Sequence, residues 1–248
     1  MGVVEGFTEF LPISSTAHLV LTAKFLDIPQ TEFVKSFEIA IQLGAILAVV
    51  WYYHKEIFLN KEIGKKIISA FIPTAVLGFA FYKIVKSFLL ESTETIIWTM
   101  LLGGIFLIIF ELWHKEKPEA IDNIEKISYA KCFLIGVFQA VAIVPGVSRA
   151  AATILGGLFL GLKRKIIVEF SFLLAVPTML SATGYDLLKN GYSFSSDQFG
   201  VLLSGFLVSF FVALISIRFL LAFIKRNNFV WFGVYRVVFA VLLIFLYL

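Results

Sequence analysis

Long apolar runs separated by short polar segments set the pattern of this chain. A helix that crosses a bilayer needs about 20 mostly apolar residues. Six runs meet that length: 33–53, 66–87, 95–113, 166–188, 198–224 and 229–248. Two more regions are apolar but interrupted, residues 1–26 at Pro12 and residues 131–161 at Pro145-Gly146. At 1.5 Å per residue the arm before Pro12 makes about 16 Å of helix. A hydrocarbon core is about 30 Å thick, so such an arm reaches halfway. Each broken region is therefore either one kinked crossing or a re-entrant hairpin that dips in and returns.

Charge separates these alternatives, because cytoplasmic loops carry an excess of Lys and Arg. Eight crossings would divide the loop cations nine against nine, whereas six crossings and two hairpins divide them thirteen against five. The second arrangement makes 54–65, 114–130, 162–165 and 225–228 cytoplasmic and leaves both termini outside. A weak internal repeat accompanies it. An offset of 134 places Gly2-Val3 on Gly136-Val137, Glu5 on Gln139, Ile13 on Val147 and Ser14 on Ser148. Each half, about 1–130 and 131–248, then holds one broken hairpin and three spans. Three is odd, so the halves are inverted, a plan in which discontinuous helices meet near the midplane. The expected fold is a single all-α polytopic membrane domain over 1–248. It has six transmembrane helices plus two re-entrant helix-loop-helix hairpins in an inverted repeat.

Composition agrees with a membrane protein. Residues are 60% hydrophobic and 15% charged, against about 25% charged in soluble domains. Mean hydropathy is +0.94. The balance of +4 does not imply nucleic acid, because the cations lie in short loops; membrane lipids are the expected surroundings. Cys132 is the only cysteine, which excludes an intrachain disulfide and a cysteine metal site. No cleavable signal peptide is expected, since two Glu interrupt the first apolar run.

The polar residues gather at the breaks. In EGFTEFLPISSTAH, Glu5 and Glu9 lie four apart and share a helical face, and intramembrane carboxylates face a partner or a watery cavity. Pro12 ends that arm, and Ser14, Ser15 and Thr16 open the next beside the free N–H groups of a helix N-terminus, which favour anions. Capping needs one hydroxyl; three exceed it. His18 is either a structural hydrogen-bonder or a general acid or base. The second break, VPGVSRAAAT, stops a helix at Pro145-Gly146 and starts another with Ser148 and Arg149. Arg149 needs a partner at membrane depth, and Glu5, Glu9 and a bound anion are the candidates. Arg is also suited to bidentate phosphate binding. Glu38 and Gln42, again four apart, are placed to line the same cavity. Glu111, Glu169 and Asp186 fall near helix ends and are expected to be solvated. Arg218 and Arg236 lie more inward and either touch the cavity or snorkel, of which snorkelling is the preferred reading, and His54 and His114 are read as interface residues. Carboxylates suit Mg²⁺ or Ca²⁺, and Arg with backbone N–H groups suits phosphate, so the site class is metal-assisted chemistry on a phosphorylated amphiphile.

EGFTEFLPISSTAH and PGVSRAAAT resemble the two signatures of the undecaprenyl-diphosphate phosphatase, or bacitracin-resistance, family. FEIAIQLGAILAVV and EFSFLLAVPTML at 169–180 are similar to that family in the expected order, so the likeness covers essentially the whole chain. It implies the same six spans and two hairpins. It also implies hydrolysis of the terminal phosphate of a C55 isoprenoid diphosphate at the outer side of the bacterial inner membrane, with a divalent cation. By position, Glu5 and Glu9 match the acidic motif and Ser15 the nucleophile, with Ser14, Thr16 and His18 as neighbours. Ser148, Arg149 and Thr153 match the second motif, in which they follow the Pro145-Gly146 break. Ala150 stands where that motif has a second Ser, and Ala17 where a Gly is common. Only four residues precede Glu5, fewer than is usual, which admits a start upstream of Met1.

The expected mechanism holds the phosphates with Arg149 and the N–H groups after Pro12 and Pro145, while Ser15 or a metal-activated water attacks. The alternative function is a lipid-phosphate transporter or flippase using the same midplane site. Acid-phosphatase-like lipid phosphatases are disfavoured, because their His would fall at Leu155. Homodimerisation is left open.

Overall fold

The computed structural model describes residues 1–29, 31–88, 93–190 and 196–247, and side chains outside 82–88, 186–190 and 196–197. Asp186 and three of the loop cations counted above, Lys83, Lys86 and Lys189, have side chains outside the described residues. In chain order the helices are α1 (Gly2–Thr8), α2 (Ser15–Phe25), α3 (Glu32–Tyr52), α4 (His54–Leu59), α5 (Lys61–Phe88), α6 (Thr93–Trp113), α7 (Tyr129–Ala140), α8 (Arg149–Phe159), α9 (Arg164–Asn190), α10 (Ser196–Phe223) and α11 (Val230–Tyr247). Ile121 and Leu162 form one isolated parallel bridge. Among the described residues, six helices are long and apolar enough to cross a membrane: α3, α5, α6, α9, α10 and α11. The chain is an all-α, multi-pass membrane protein.

Helix ends follow local chemistry that hydropathy does not register. α5 begins at Lys61 rather than 66, because the Asn60 side chain accepts from the N–H groups of Glu62 and Ile63 at 3.1 and 3.2 Å, an N-cap. α3 starts at the Thr31 cap and α7 at the Ser128 cap. The first arm is shorter than expected. α1 stops at Thr8, and residues 9–13 turn toward Pro12, since proline disfavours helix in the residue before it.

The two broken regions are hairpins of short helices. α2 and α8 have 11 residues each, about 16 Å, too short to cross. In the second hairpin, Lys131 Nζ in the first turn of α7 donates to the Leu160 carbonyl just after α8, at 2.8 Å. Entry and exit are therefore at the same end. The offset of 134 carries Ser15–Phe25 onto Arg149–Phe159, the bounds of α2 onto those of α8. The hairpins pack crosswise. α1 lies on α10 and α7 on α5. Apolar side chains gain little by leaving lipid for protein, so small residues drive such contacts. At Gly136 a Cβ would collide with the Ala70 carbonyl, so glycine lets α7 approach the α5 backbone.

Charged residues at helix ends are less solvated than expected. Glu111 is buried and pairs with Arg164 Nη2 at 2.7 Å, because α9 begins against the end of α6.

Candidate active site

Both hairpin turns point the start of a helix at one place. Ser14 (φ 70°) caps α2, its Oγ accepting from Ala17 N–H at 3.5 Å. Ser148 (φ 76°) caps α8, its Oγ accepting from Ala151 N–H at 3.2 Å. Gly146 at φ 89° makes the second turn, a conformation that side chains disfavour. The two N-termini open on a cavity of about 290 Å³ lined by Glu9, Ser14, Ser15, Thr16, Gln42, Pro145, Gly146, Ser148 and Arg149. Eight polar residues or turn glycines singled out in the sequence thus meet, from segments more than 100 residues apart.

Inside, Glu9 holds the two halves together. Ser15 Oγ donates to Glu9 Oε2 at 2.5 Å, and Arg149 Nη2 meets Glu9 Oε1 at 3.1 Å. Arg149 Nη1 also donates to the Ser171 carbonyl at 3.2 Å, while its Nε has no protein partner. One carboxylate therefore accepts a hydroxyl on one oxygen and a guanidinium on the other. With the hydroxyl oxygen unprotonated, positive charge from Arg149 and the helix ends remains beside it.

Four residues expected at the cavity, Glu5, Glu38, Thr153 and His18, lie outside its lining; of the pair Glu38 and Gln42, four apart on α3, only Gln42 reaches it. Glu5 is fully buried, and neither of its carboxylate oxygens has a hydrogen-bond partner. Its electrostatic neighbours are Glu9, Glu38 and Arg149, three carboxylates in all against one guanidinium. Thr153 is buried, its one hydroxyl proton shared between the Arg149 carbonyl at 2.9 Å and Gln139 Oε1 at 3.2 Å. His18 has both ring nitrogens engaged, Nδ1 at 2.8 Å from the Ser14 carbonyl and Nε2 at 2.7 Å from Tyr235 Oη. It also stacks on Phe239. That geometry anchors the Ser14 turn to α11.

Arg236 was read as snorkelling, and the structure corrects this. It is 0% exposed, and all five of its N–H groups meet backbone carbonyls: Met100, Thr99, Pro12, Gly146 and Val147, at 2.9–3.3 Å. It clasps both turns to α6. A cation in the middle of an apolar span was the available signal; the carbonyl partners have no sequence signature.

A divalent cation fits this donor set. Among the described residues no three His, Cys, Asp or Glu side chains converge as a metal cage. Mg²⁺, however, is commonly held by one or two carboxylates, with substrate phosphates and water completing its shell. The unpartnered Glu5 carboxylate beside Glu9, and the excess of carboxylates over cations, suit that pattern.

The chain matches the family described as "Bacitracin resistance protein BacA" over residues 1–242. It is 52% identical over 242 residues to the undecaprenyl-diphosphatase of Sulfurihydrogenibium sp. (strain YO3AOP1), covering 98% of this chain and 95% of that one. It is 50% identical over 237 residues to the undecaprenyl-diphosphatase of Aquifex aeolicus (strain VF5), covering 96% and 92%. A relative of the same name from Campylobacter jejuni is 42% identical over 248 residues, covering 100% and 92%. With residues 1–242 matched, a range that includes both turns and every side chain lining the cavity, the chain belongs to the BacA bacitracin-resistance family.

Proposed function

We propose that this protein hydrolyses undecaprenyl diphosphate to undecaprenyl phosphate and inorganic phosphate. It works in the bacterial plasma membrane, with the cavity open to the outer side. The observation that carries this reading is the Ser15–Glu9–Arg149 contact chain set between two helix N-termini. The names of the relatives supply the substrate.

The diphosphate enters the cavity while its polyprenyl tail stays along apolar helix faces. Arg149, Ser14, Thr16, Ser148 and the N–H groups that open α2 and α8 hold the phosphate oxygens. Gly146 lets backbone approach them, Gln42 lines the same cavity, and Thr153 positions Arg149 through its carbonyl. His18 fixes the Ser14 turn. Ser15 Oγ attacks the terminal phosphorus as its proton passes to Glu9 Oε2. The bond from phosphorus to the bridging oxygen breaks, and the lipid monophosphate leaves with that oxygen and the proton from Glu9. Water then attacks the phosphoserine, giving a proton to Glu9. Glu9 returns it to Ser15 Oγ as the phosphorus–Oγ bond breaks and phosphate departs. Glu5 and Glu9 would hold Mg²⁺ or Ca²⁺, which when bound supplies positive charge beside the phosphate oxygens.

The test is phosphate release from undecaprenyl diphosphate by the protein in detergent, with no membrane to cross. Wild type is expected to be active and to lose activity on chelation. Ser15→Ala should fall by at least about 10³-fold and Arg149→Ala by about 10²–10³-fold. Quenched turnover should show phosphoserine at Ser15 by mass spectrometry. Near-normal turnover of Ser15→Ala sinks the nucleophile, and normal turnover of Arg149→Ala removes that residue from the site.

A further inference from the structure

The second hairpin leaves a gap against α6 that the Glu9 cavity does not use. α6 and α8 flank an apolar groove of about 500 Å³ that runs from Gly103 and Val147 to Trp113 and Phe159. Its walls include Phe106, Ile109, Phe110 and Leu155. Gly103 to Trp113 spans about 15 Å of helix, half of a hydrocarbon core of about 30 Å. The groove is therefore one leaflet deep.

At its open end the groove runs into a second cavity of about 720 Å³, and Trp113 and Phe159 line both. That cavity carries Lys115, Lys117 and Lys131, with Glu116 and Glu119 as its carboxylates. Glu116 is already committed, accepting from the backbone N–H of Arg164 at 2.9 Å and pairing with Arg164 Nη1 at 3.4 Å. Three ammonium groups then face one remaining carboxylate. Lys131 Nζ spends one N–H on the Leu160 carbonyl and keeps two. A basic mouth with a tryptophan at its rim, above an apolar slot one leaflet deep, has the shape and charge order of a lipid with an anionic head. Basic pockets between spans on the cytoplasmic side suit such heads.

We propose that this groove and cavity form a binding site for an anionic phospholipid of the leaflet at the lysine-rich end. Its phosphate sits among Lys115, Lys117 and Lys131, and one acyl chain lies between α6 and α8. The site shares no lining residue with the Glu9 cavity and stands whatever reaction that cavity performs. Its inner end is closed by Arg236 and Val147, so the chain end packs against the second hairpin turn.

The chain has four tryptophans, so Trp51→Phe, Trp98→Phe and Trp231→Phe together leave Trp113 as the sole fluorophore. This protein is placed in phosphatidylcholine nanodiscs containing increasing dibrominated phosphatidylglycerol or, in parallel, dibrominated phosphatidylcholine. Half-maximal quenching of Trp113 is expected at about a tenfold lower mole fraction of the anionic lipid, as a few lysines near a lipid surface produce. Lys115→Glu with Lys117→Glu should abolish that preference, and Ala152→Phe, which fills the groove, should weaken quenching by the anionic lipid. Raising salt to about 0.5 M on the unsubstituted single-tryptophan protein should also reduce the preference, a measurement independent of whether the variants fold. Equal quenching by the two lipids, or a preference that salt leaves unchanged, overturns the proposal. Phosphate release by the lysine variants in detergent should stay at the parent level, which separates this site from the hydrolytic one.

Discussion

Gln139 and Glu5 occupy corresponding places in the two halves, and their surroundings explain why one is an amide and the other an acid. Gln139 Nε2 donates to Thr74 and Thr178 at 3.1 and 3.0 Å, and its Oε1 accepts from Thr153. Both acceptor hydroxyls have spent their own protons, Thr74 on the Gly136 carbonyl and Thr178 on that of Leu174. At the offset of 134 those three threonines become Val208, Gly44 and Leu19, so Glu5 is left without donors. Gln139→Glu would set carboxylate lone pairs against oxygens that can no longer donate. A loss of about 2–5 kcal/mol is expected in detergent unfolding. Glu5→Gln exchanges one unpartnered buried group for another. Its stability should stay within about 1 kcal/mol, while cation-dependent phosphate release falls by about 10²-fold. A stability loss larger for Glu5→Gln than for Gln139→Glu would refute this assignment.

Arg236 carries a related expectation. Lys offers three donors where the guanidinium offers five, so Arg236→Lys keeps the charge but leaves at least two carbonyls unmet. Phosphate release should drop by about tenfold in Arg236→Lys and by about 10²-fold in Arg236→Met, with KM rising as the turns loosen. An unchanged KM in both would show that the clasp does not shape the cavity. Glu9, Ser15 and Arg149 were legible in the sequence because polar residues at a helix break inside an apolar run have few bland explanations. Arg236 and the anchoring of His18 by Tyr235 were not, since backbone carbonyls carry no sequence signature and a single Tyr in an apolar span does not reveal which ring it meets.

At the scale of helices, hydropathy located all six spans, and proline located both breaks. It placed boundaries less well where capping decides, as at Asn60, and it gave no hint of α4. The end of α6 shows how much such boundaries matter. Glu111 and His114 were both expected at the solvated interface, yet α9 starts directly against them through Arg164. The His114 ring stacks on Phe110, 5.1 Å between centroids. Burial first, then the Arg164 charge, hold its imidazole below the usual value of 6.5. The folded protein therefore disfavours the proton that the unfolded chain accepts. This contribution to stability is present above about pH 6.5 and is lost as pH falls through the folded value. Melting temperature in detergent is expected to decline from pH 7.5 to 5, and His114→Asn should flatten part of that decline. An unchanged profile in His114→Asn would assign the acid sensitivity to other groups.

Across the whole molecule, the cavity exists only because the halves interlock. α1 from the first half packs on α10, and α7 from the second packs on α5. Glu9 and Arg149 then meet across the seam. This arrangement fixes which loops share an end. Arg164 pairs with Glu111 and Glu116, and Lys131 reaches Leu160, so residues 162–165 lie beside residues 114–117. Residues 225–228 line a pocket with Lys163, Arg164 and Glu116, and Tyr129 donates to Glu62, which adds the 54–65 segment. The thirteen-cation group anticipated from the sequence thus gathers at one end. We propose, from the positive-inside tendency, that this end faces the cytoplasm. Cys132 is buried, so single exposed cysteines can be added to the otherwise natural chain. Lys117→Cys and Lys165→Cys should react with a membrane-impermeant maleimide only after the cells are permeabilised, whereas Pro29→Cys should react in intact cells. A kinked crossing at 131–161 would instead put Lys165 on the opposite side from Lys117. Labelling of Lys165→Cys together with Pro29→Cys in intact cells would therefore exclude the re-entrant hairpin, and with it a cavity reached from the outer side.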